Sequence, residues 1–254
     1  MVDKFNQEFN LYQKFLDEIK PVILTEDEIF KHQYDWNRII VSLALLDRWY
    51  GNRACDVLEL GGEGVVTKIL KSYFTEWKFS STDFDLRSEE WYLDKCYDLI
   101  LCMEVAEHLS DPDSKSSDYF NESFLYRGLD NCLRGASKAL KNEGSLFLST
   151  PNVSSNYNLL QTLEFKIPLQ YLHHIREYTL AELVDAFKRC NLMVSKFECI
   201  EVLCVGWDFS ILEEFYKRTK NALNLRGSNF FMSLQRGELG SANWSDIIAL
   251  QSYS

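Results

Sequence analysis

Residues 1–50 carry hydrophobic side chains at the spacing of a helix face. They recur at Phe5, Phe9, Tyr12, Phe15 and Ile19. This period predicts an amphipathic helix, and Pro21 is expected to end it because proline interrupts helical hydrogen bonding. Thr25 followed by Glu28 has the pattern of a capping box, in which two side chains cap the start of a helix. A second helix is therefore predicted to run to Asp47.

Beyond residue 50, short apolar runs alternate with amphipathic stretches. The apolar runs predict strands at 55–60, 77–82, 97–103, 145–149, 192–205 and 229–234. The amphipathic stretches predict helices at 65–73, 120–140, 179–190 and 211–223. Strands that alternate with helices indicate a mostly parallel sheet with helices on both faces. The run YDLILCM at 97–103 is almost wholly apolar, which is typical of a central strand covered on both sides.

The length and composition fit a single α/β domain with additions. Of the 254 residues, 46% are hydrophobic, which is enough to build a sizeable core. No stretch is rich enough in proline, glycine or serine to act as a linker. We therefore predict an N-terminal helical cap or flank at 1–50, a main domain at 51–240 and a C-terminal tail at 241–254.

The charge balance limits the classes of partner. The formal net charge is −11 and the pI is near 4.9, which disfavours nucleic acid and anionic membranes. No apolar run is long enough to span a bilayer, and the N-terminus lacks the apolar core of a signal peptide. The 7 cysteines form no C-x-x-C pair and fit reduced thiols. These features predict a cytoplasmic protein that acts on a small molecule.

A strand that runs into a glycine-rich turn is the first sign of a ligand site. In the segment VLELGGEG the strand ends at Glu59, and Gly61, Gly62 and Gly64 follow. Such a turn lets the backbone approach a nucleotide-like ligand closely. The dinucleotide pattern G-x-G-x-x-G is absent. A carboxylate at the strand end suits a ligand with an ammonium group better than one with a pyrophosphate.

A second carboxylate follows at the end of the next predicted strand. Asp83 lies roughly twenty residues beyond the turn, where an acidic side chain accepts hydrogen bonds from ribose hydroxyls in nucleotide-binding folds. Asp85 is an alternative, but the apolar strand ends at Asp83. We therefore expect Asp83, with Asp85 as the alternative, to bind a ribose.

Polar residues also gather where later strands end. Glu104, Glu107 and His108 follow the central strand, and the next predicted strand runs into STPN at 149–152. The segment HHIREYT at 173–179 comes just before a helix. Because open α/β sheets bind ligands at the carboxyl edge of their strands, the two segments that follow strands are expected to meet in one site.

Taken in order, these segments resemble class I S-adenosylmethionine-dependent methyltransferases, and most of all the branch that includes ubiquinone-biosynthesis-type O-methyltransferases. There the first strand and loop read roughly V-L-D-x-G-x-G-x-G, the fourth strand F-D-L-V-x-x-x-E-V-x-E-H, and the fifth G-G-x-L-x-x-S-T-P-N. A stretch H-x-R-E-Y-T-x-x-E-L follows. The likeness covers residues 54–235. It implies a doubly wound, seven-stranded, mostly parallel sheet of the Rossmann-like methyltransferase fold, with S-adenosyl-L-methionine as cofactor.

The resemblance also implies cofactor contacts. Glu59 and Gly61 would hold the methionine end, Asp83 the ribose, and Met103 with Glu104 would lie beside the adenosine or the sulfonium. The expected cofactor-binding residues are Glu59, Gly61, Gly62, Gly64, Asp83, Asp85, Met103 and Glu104. The chain departs from the family pattern where Glu63 replaces a glycine, and a positive φ there would cost about 1–2 kcal/mol. The stretch between the second and third strands is also short.

The implied reaction is methyl transfer to a small-molecule acceptor, at a hydroxyl. A hydroxyl must lose its proton, and histidine is the usual base at neutral pH. His108 and His174 are the candidates for catalysis, and His174 is preferred to His173 because the H-x-R-E-Y-T pattern aligns on it. The residues themselves leave nitrogen and carbon acceptors open.

Two alternatives stay open at this point. Glu104, Glu107, His108 and His174 also resemble the metal site of small-RNA 3′-terminal 2′-O-methyltransferases, in which a divalent cation grips a terminal ribose. The acidic charge and the lack of a basic patch argue against RNA, and the main interpretation needs no metal. The other alternative is a non-catalytic methyltransferase-fold binding protein, which only Glu63 in the glycine turn suggests.

Overall fold

The computed structural model of the chain describes residues 2–111, 127–204, 209–210, 212, 225–237 and 247. Within them the strands are β1 (Cys55–Glu59), β2 (Trp77–Ser81), β3 (Tyr97–Met103), β4 (Leu140–Pro151), β5 (Leu192–Ile200) and β6 (Asn229–Arg236). The helices are α1 (Val2–Ile23), α2 (Glu26–Lys31), α3 (Trp36–Tyr50), α4 (Val65–Tyr73), α5 (Arg127–Ala139), α6 (Asn156–Leu163) and α7 (Leu180–Arg189). The helix predicted at 211–223 lies outside the described residues apart from Leu212.

The strands form one sheet in the order β2-β1-β3-β4-β6-β5. β1 pairs in parallel with β2 and β3, β3 pairs in parallel with β4, and β6 runs antiparallel between β4 and β5. The predicted doubly wound α/β fold is confirmed, and the strand predicted at 229–234 is present as β6, which is antiparallel to its neighbours. The strand order reverses beside β1, so the crevice at the carboxyl ends of β1 and β3 is where such a sheet binds its ligand.

The described part of the chain contains six strands instead of the seven expected. Only residues 82–96 connect β2 to β3. A crossover between parallel strands takes about a dozen residues or more, so this connection is too short for a further strand with a crossover on each side. β2 is consequently an edge strand of the sheet.

Each face of the sheet packs against its own hydrophobic cluster. Leu99 and Leu101 of β3 belong to a cluster with α1, α3 and α4, whereas the alternate residues Ile100 and Cys102 belong to a cluster with α5 and α7. All four side chains are buried, and a fully buried aliphatic side chain contributes about 1.5–3 kcal/mol. The N-terminal helices thus form, with α4, one of the two layers that cover the sheet.

The N-terminal helices differ from the prediction in two places. α1 continues past Pro21, because a proline close to the end of a helix removes a single hydrogen bond. The capping box of Thr25 and Glu28 is present, but it starts the short helix α2. A turn, in which the N–H of Asp35 donates to the carbonyl of His32, separates α2 from α3. Residues of this turn line the cavity described below.

Across the described ranges, no helix is both long and apolar enough to cross a membrane. All of the cysteines lie within these ranges and are free thiols, buried except for Cys96.

Candidate active site

The glycine-rich turn after β1 lies against the segment that follows β3. Gly61 and Gly62 adopt φ angles of 90° and 91°, a left-handed backbone that favours glycine. A Cβ at Gly61 would lie 3.0 Å from Cγ2 of Val105, and the Gly61 N–H donates to Oγ1 of Thr82 at 3.1 Å. The turn therefore needs glycine for its conformation and for its close approach to β3.

The backbone of Glu63 does not adopt the positive φ angle that would strain a residue other than glycine. Outside glycine, positive φ occurs in the described chain at Glu104, Phe165 and Asn191. The Glu63 carboxylate pairs with Lys71 at 2.7 Å, with 49% of the glutamate side chain exposed. At the neighbouring Gly64, a Cβ would meet no atom of the described residues within 4 Å. The departure from the family pattern at Glu63 does not block the turn.

Glu59, the last residue of β1, is buried at the base of the turn. Its Oε2 accepts a short hydrogen bond from Oγ1 of Thr67, and the same Oγ1 accepts the N–H of Gly64. Burial raises the pKa of the Glu59 carboxyl to about 7, while the Thr67 hydrogen bond opposes the rise and the charge of Glu63 adds to it. The Glu59 carboxyl therefore changes its charge near neutral pH, where a cationic ligand group stabilises the ionised form.

The two aspartates after β2 differ in what they bind. Asp85 accepts hydrogen bonds from the Arg87 guanidinium, the shortest at 2.7 Å from Nη2, and these bonds lower the pKa of its carboxyl. Asp83 is exposed, and no described residue donates a hydrogen bond to its carboxylate. It directly follows Thr82, whose N–H donates to the carbonyl of Glu59 at 3.0 Å. Of the two aspartates, Asp83 therefore has the carboxylate that is available to bind a ligand beside the turn.

A cavity of about 570 Å³ opens at the same carboxyl edge of the sheet. Its walls come from the turn between α2 and α3, the ends of β3 and β4, the segment before α7 and the start of β6. The polar lining includes Lys31, Asp35, Arg38, Glu104, His108 and His174. A second cavity, of about 470 Å³, is lined by residues 90–96 and the end of α5. Because residues 94–96 precede β3, this second cavity lies at the opposite edge and holds none of the expected site residues.

Glu104 has a strained backbone that its neighbours hold in place. Its φ of 54° is unusual for a residue other than glycine, and such a conformation costs on the order of 1–3 kcal/mol. The carboxylate accepts hydrogen bonds from Oγ of Ser149 at 2.7 Å and from Nδ2 of Asn229 at 3.1 Å. Nη1 of Arg38 lies 3.7 Å from Oε2. Strain of this kind accumulates at functional sites, and here it directs a carboxylate toward the cavity.

Three predicted residues converge at the floor of the cavity. One ligand atom from each of Glu107, His108 and His174 lies within 4.8 Å of the others, and the two imidazole centroids are 5.0 Å apart. Glu107 is fully buried, and its Oε2 accepts the hydroxyl of Thr150 at 3.0 Å. Its Oε1 is buried without a hydrogen-bond partner among the described residues. Burial and the charge of Glu104 raise the pKa of Glu107.

The two histidines are each held by one ring nitrogen. Nδ1 of His174 lies 2.7 Å from Oε1 of Glu177. His108 makes a hydrogen bond to the backbone of His173. Partial burial and the neighbouring His174 lower the pKa of His108, so its ring is neutral near pH 7. The pair can therefore accept a proton or coordinate a cation.

The structure places the predicted residues in two adjacent groups. Glu59, the glycines and Asp83 surround the turn, whereas Glu104, Glu107, His108 and His174 border the cavity. Val105 lies between the groups, because its side chain touches Gly61. Met103 ends β3 and packs against the hydrophobic cluster on the α3 side.

Three residues of the site were missed from the sequence. Arg38 bonds to Asp35 at 3.0 Å and faces Glu104 from α3, while Asn229 and Glu177 reach the site from later segments. A signal existed for Arg38, a charged residue beside the apolar run IIVSLALL. Asn229 depends on a contact between distant segments, which no local pattern reveals. Glu177 lies three residues after His174, inside the HHIREYT segment, and the sequence pattern did not single it out as a site residue.

Two comparisons with known sequences both find methyltransferases. Residues 31–196 match the family model described as Methyltransferase domain. The ubiquinone biosynthesis O-methyltransferase of Pelagibacter ubique (strain HTCC1062) is 26% identical over 145 residues, which are 55% of this chain and 50% of that protein. The matched region thus spans half the length of this curated relative.

Solved structures agree at the level of the fold. A SAM dependent methyltransferase from Archaeoglobus fulgidus superposes with a TM-score of 0.50 at 14% identity, covering 84% of this chain and 100% of that one. A chain from the Haloferax volcanii complex of the Trm112 methyltransferase activator with a methyltransferase also gives a TM-score of 0.50 at 14% identity, covering 84% and 94%.

Proposed function

The chain belongs to the methyltransferase-domain family and is an S-adenosyl-L-methionine-dependent methyltransferase, and from this premise we propose that it methylates a hydroxyl group of a small-molecule acceptor. The acceptor would occupy the cavity of about 570 Å³. The observation that carries the proposal is the pair of imidazoles, His108 and His174, on the cavity wall with centroids 5.0 Å apart.

The residues around the glycine turn fit the cofactor. When bound, S-adenosyl-L-methionine supplies a methyl group that its positively charged sulfur activates for transfer. The buried carboxyl of Glu59 offers an anion to the cofactor's ammonium group. Asp83 offers two exposed oxygens to the ribose hydroxyls. Gly61 and Gly62 give the turn its left-handed backbone, and a Cβ at Gly61 would crowd Val105.

The cavity contains the groups that a hydroxyl acceptor requires. The neutral ring of His108 can take up the hydroxyl proton, and His174 lies beside it. The cavity walls align the acceptor and exclude water. Among the lining charges, Lys31 and Arg38 are matched by Asp35 and Glu104, and burial raises the pKa of the third carboxyl, that of Glu107, which favours its uncharged form. A site with balanced charges favours an uncharged acceptor that carries several hydroxyl groups.

A second candidate function follows from the same cluster: divalent-cation-dependent 2′-O-methylation of an RNA 3′ end. The favouring observation is the convergence of Glu107, His108 and His174 within 4.8 Å, with the unpartnered Oε1 of Glu107 among the described residues. A carboxylate with two imidazoles suits a transition metal. Glu104 lies outside this cluster, because Ser149 and Asn229 bind its carboxylate.

One acceptor panel separates the two candidates. Radiolabelled S-adenosyl-L-methionine is incubated with hydroxyl compounds, with their amino analogues and with a short RNA, each with and without EDTA. We expect methylation of a hydroxyl compound alone, unaffected by EDTA, with the product methyl on oxygen by NMR. Methylation of an amino analogue would contradict the hydroxyl proposal. Methylation of the RNA that EDTA abolishes and Mn²⁺ restores would establish the second candidate.

The raised pKa of Glu59 makes cofactor affinity depend on pH. Because burial raises this pKa to about 7, the carboxyl is protonated below that value and cannot pair with an ammonium group. The affinity for S-adenosylhomocysteine is therefore expected to rise about tenfold between about pH 6 and pH 8. Calorimetric titration measures this directly. A Glu59→Gln variant should bind weakly with no such rise, whereas a flat profile in the wild type would contradict the pairing.

A further inference from the structure

A buried carboxylate behind the histidine pair, that of Glu177, is not part of the cavity lining. The side chain of Glu177 is 0% exposed and accepts three hydrogen bonds. Its Oε1 accepts from Nδ1 of His174 at 2.7 Å and from the N–H of Gln170 at 2.6 Å. Its Oε2 accepts from Nδ2 of Asn158 at 2.6 Å. Its three hydrogen-bond donors all come from the protein, one from the backbone and two from side chains.

The polar motifs between β4 and α7 build the frame that holds Glu177. Asn158 in α6 also donates Nδ2 to the carbonyl of Asn152 at 3.3 Å. Asn152, the last residue of the STPN motif, donates to the carbonyls of Leu225 and Gly227, both at 2.9 Å. The asparagines are buried. They therefore act as a scaffold that sets the position of Glu177.

Further hydrogen bonds connect the segment that follows His174 to residues 106 and 107. The N–H groups of Ile175 and Arg176 both donate to the carbonyl of Glu107, at 2.9 and 3.2 Å. The hydroxyl of Tyr178 donates to the carbonyl of Ala106 at 3.3 Å. These bonds join the segment of His174 to the segment of His108. The imidazole of His174 is thus held between the Glu177 carboxylate and the cavity.

We propose that Glu177 is a positioning residue that holds His174 as the tautomer protonated on Nδ1. A carboxylate only accepts hydrogen bonds, so the ring nitrogen that faces it carries the hydrogen. Nε2, the other ring nitrogen, is then left without a proton, in a ring that lies beside His108 on the cavity wall. The use of that nitrogen in methyl transfer rests on the proposed function, whereas the tautomer follows from the hydrogen bonds alone.

Nitrogen NMR of the full chain tests the tautomer without any acceptor. The chain has only 4 histidines, so ¹⁵N-histidine labelling gives few signals, and a His174→Gln spectrum assigns the one in question. We expect Nδ1 of His174 to show the shift of a protonated nitrogen and Nε2 that of an unprotonated one. The opposite assignment in the wild type would overturn the proposal. This outcome does not depend on whether any hydroxyl acceptor is found.

A Glu177→Gln variant tests the positioning role, with Glu182→Gln as its matched control. Glu182 caps α7 through Thr179 and pairs with Arg176. We expect Glu177→Gln to mix the two tautomers and lower turnover about 10- to 100-fold, with an unchanged KM for S-adenosyl-L-methionine. Unchanged turnover, or an equal change of the His174 signals in Glu182→Gln, would overturn the role. If Glu177→Gln does not fold, the spectrum of the wild type still shows which nitrogen of His174 is protonated.

The wild type could show the expected tautomer and yet methylate no hydroxyl compound. That result would support the tautomer proposal and contradict the proposed function.

Discussion

A His174→Gln variant is expected to lose methyl transfer by about 10²- to 10⁴-fold, the usual contribution of a positioned acid–base group. Its affinity for S-adenosylhomocysteine should stay within about twofold of the wild type, because His174 borders the cavity and not the glycine turn. The side chain lies beside His108 and bonds to Glu177. Turnover with a methylated acceptor and calorimetric titration measure the two quantities.

The adjacent histidine supplies the matched control for this prediction. His173 is exposed, and its ring lies 4.9 Å from that of Tyr171. A His173→Gln variant removes the same chemical group at the next position, and we expect it to keep most of the wild-type turnover. Equal losses in the two variants, or full turnover in His174→Gln, would show that His174 takes no part in the proton transfer.

An Asp83→Ala variant is expected to bind S-adenosylhomocysteine about 10- to 100-fold more weakly. Asp83 is exposed beside the glycine turn and accepts no hydrogen bond from the described residues, so its oxygens are available to the ribose hydroxyls. A hydrogen bond to a charged group contributes about 1.5–3 kcal/mol, and each 1.4 kcal/mol corresponds to a tenfold change in affinity. Because the side chain is exposed, the substitution should leave the fold stable, which thermal unfolding can check.

Asp85→Ala is the comparison that makes the Asp83 result specific. The Asp85 carboxylate is already engaged by the Arg87 guanidinium, with contacts as short as 2.7 Å. Its removal should change the affinity for S-adenosylhomocysteine by less than about threefold. A larger loss in Asp85→Ala than in Asp83→Ala would reverse the assignment of the ribose ligand.

Much of the fold could be predicted from the sequence because its signals are local. The apolar run YDLILCM coincides with β3, Tyr97–Met103, since a strand buried on both faces carries few polar positions. The capping box predicted at Thr25 is present, and the helix predicted to begin at 179 starts with a capping box of its own. The helix break after Lys31 was missed, because the hydrophobic period continues through it. The seventh strand was expected from the family likeness, and the short connection between β2 and β3 leaves no room for it.

The two groups of site residues differ in how well they could be predicted from the sequence. The glycine turn with Glu59, and Asp83 after β2, follow from strand ends in a parallel sheet. The contact between His108 and His174 follows only from the resemblance, because these residues are far apart in the chain. Glu177 and Arg38 each bond to a residue three positions earlier, His174 and Asp35. The approach of Arg38 to Glu104 depends on how distant segments pack. The domain boundary at residue 50, the acceptor and the cytoplasmic location stay predictions.

A crystal structure of the chain with S-adenosylhomocysteine would show whether cofactor and acceptor share the carboxyl edge of the sheet. We expect the ribose hydroxyls to bind Asp83, the ammonium group to lie near Glu59, and the sulfur to point into the cavity that His108 and His174 border. A ligand in the other cavity, lined by Trp91 and Tyr92 at the opposite edge, would contradict the account.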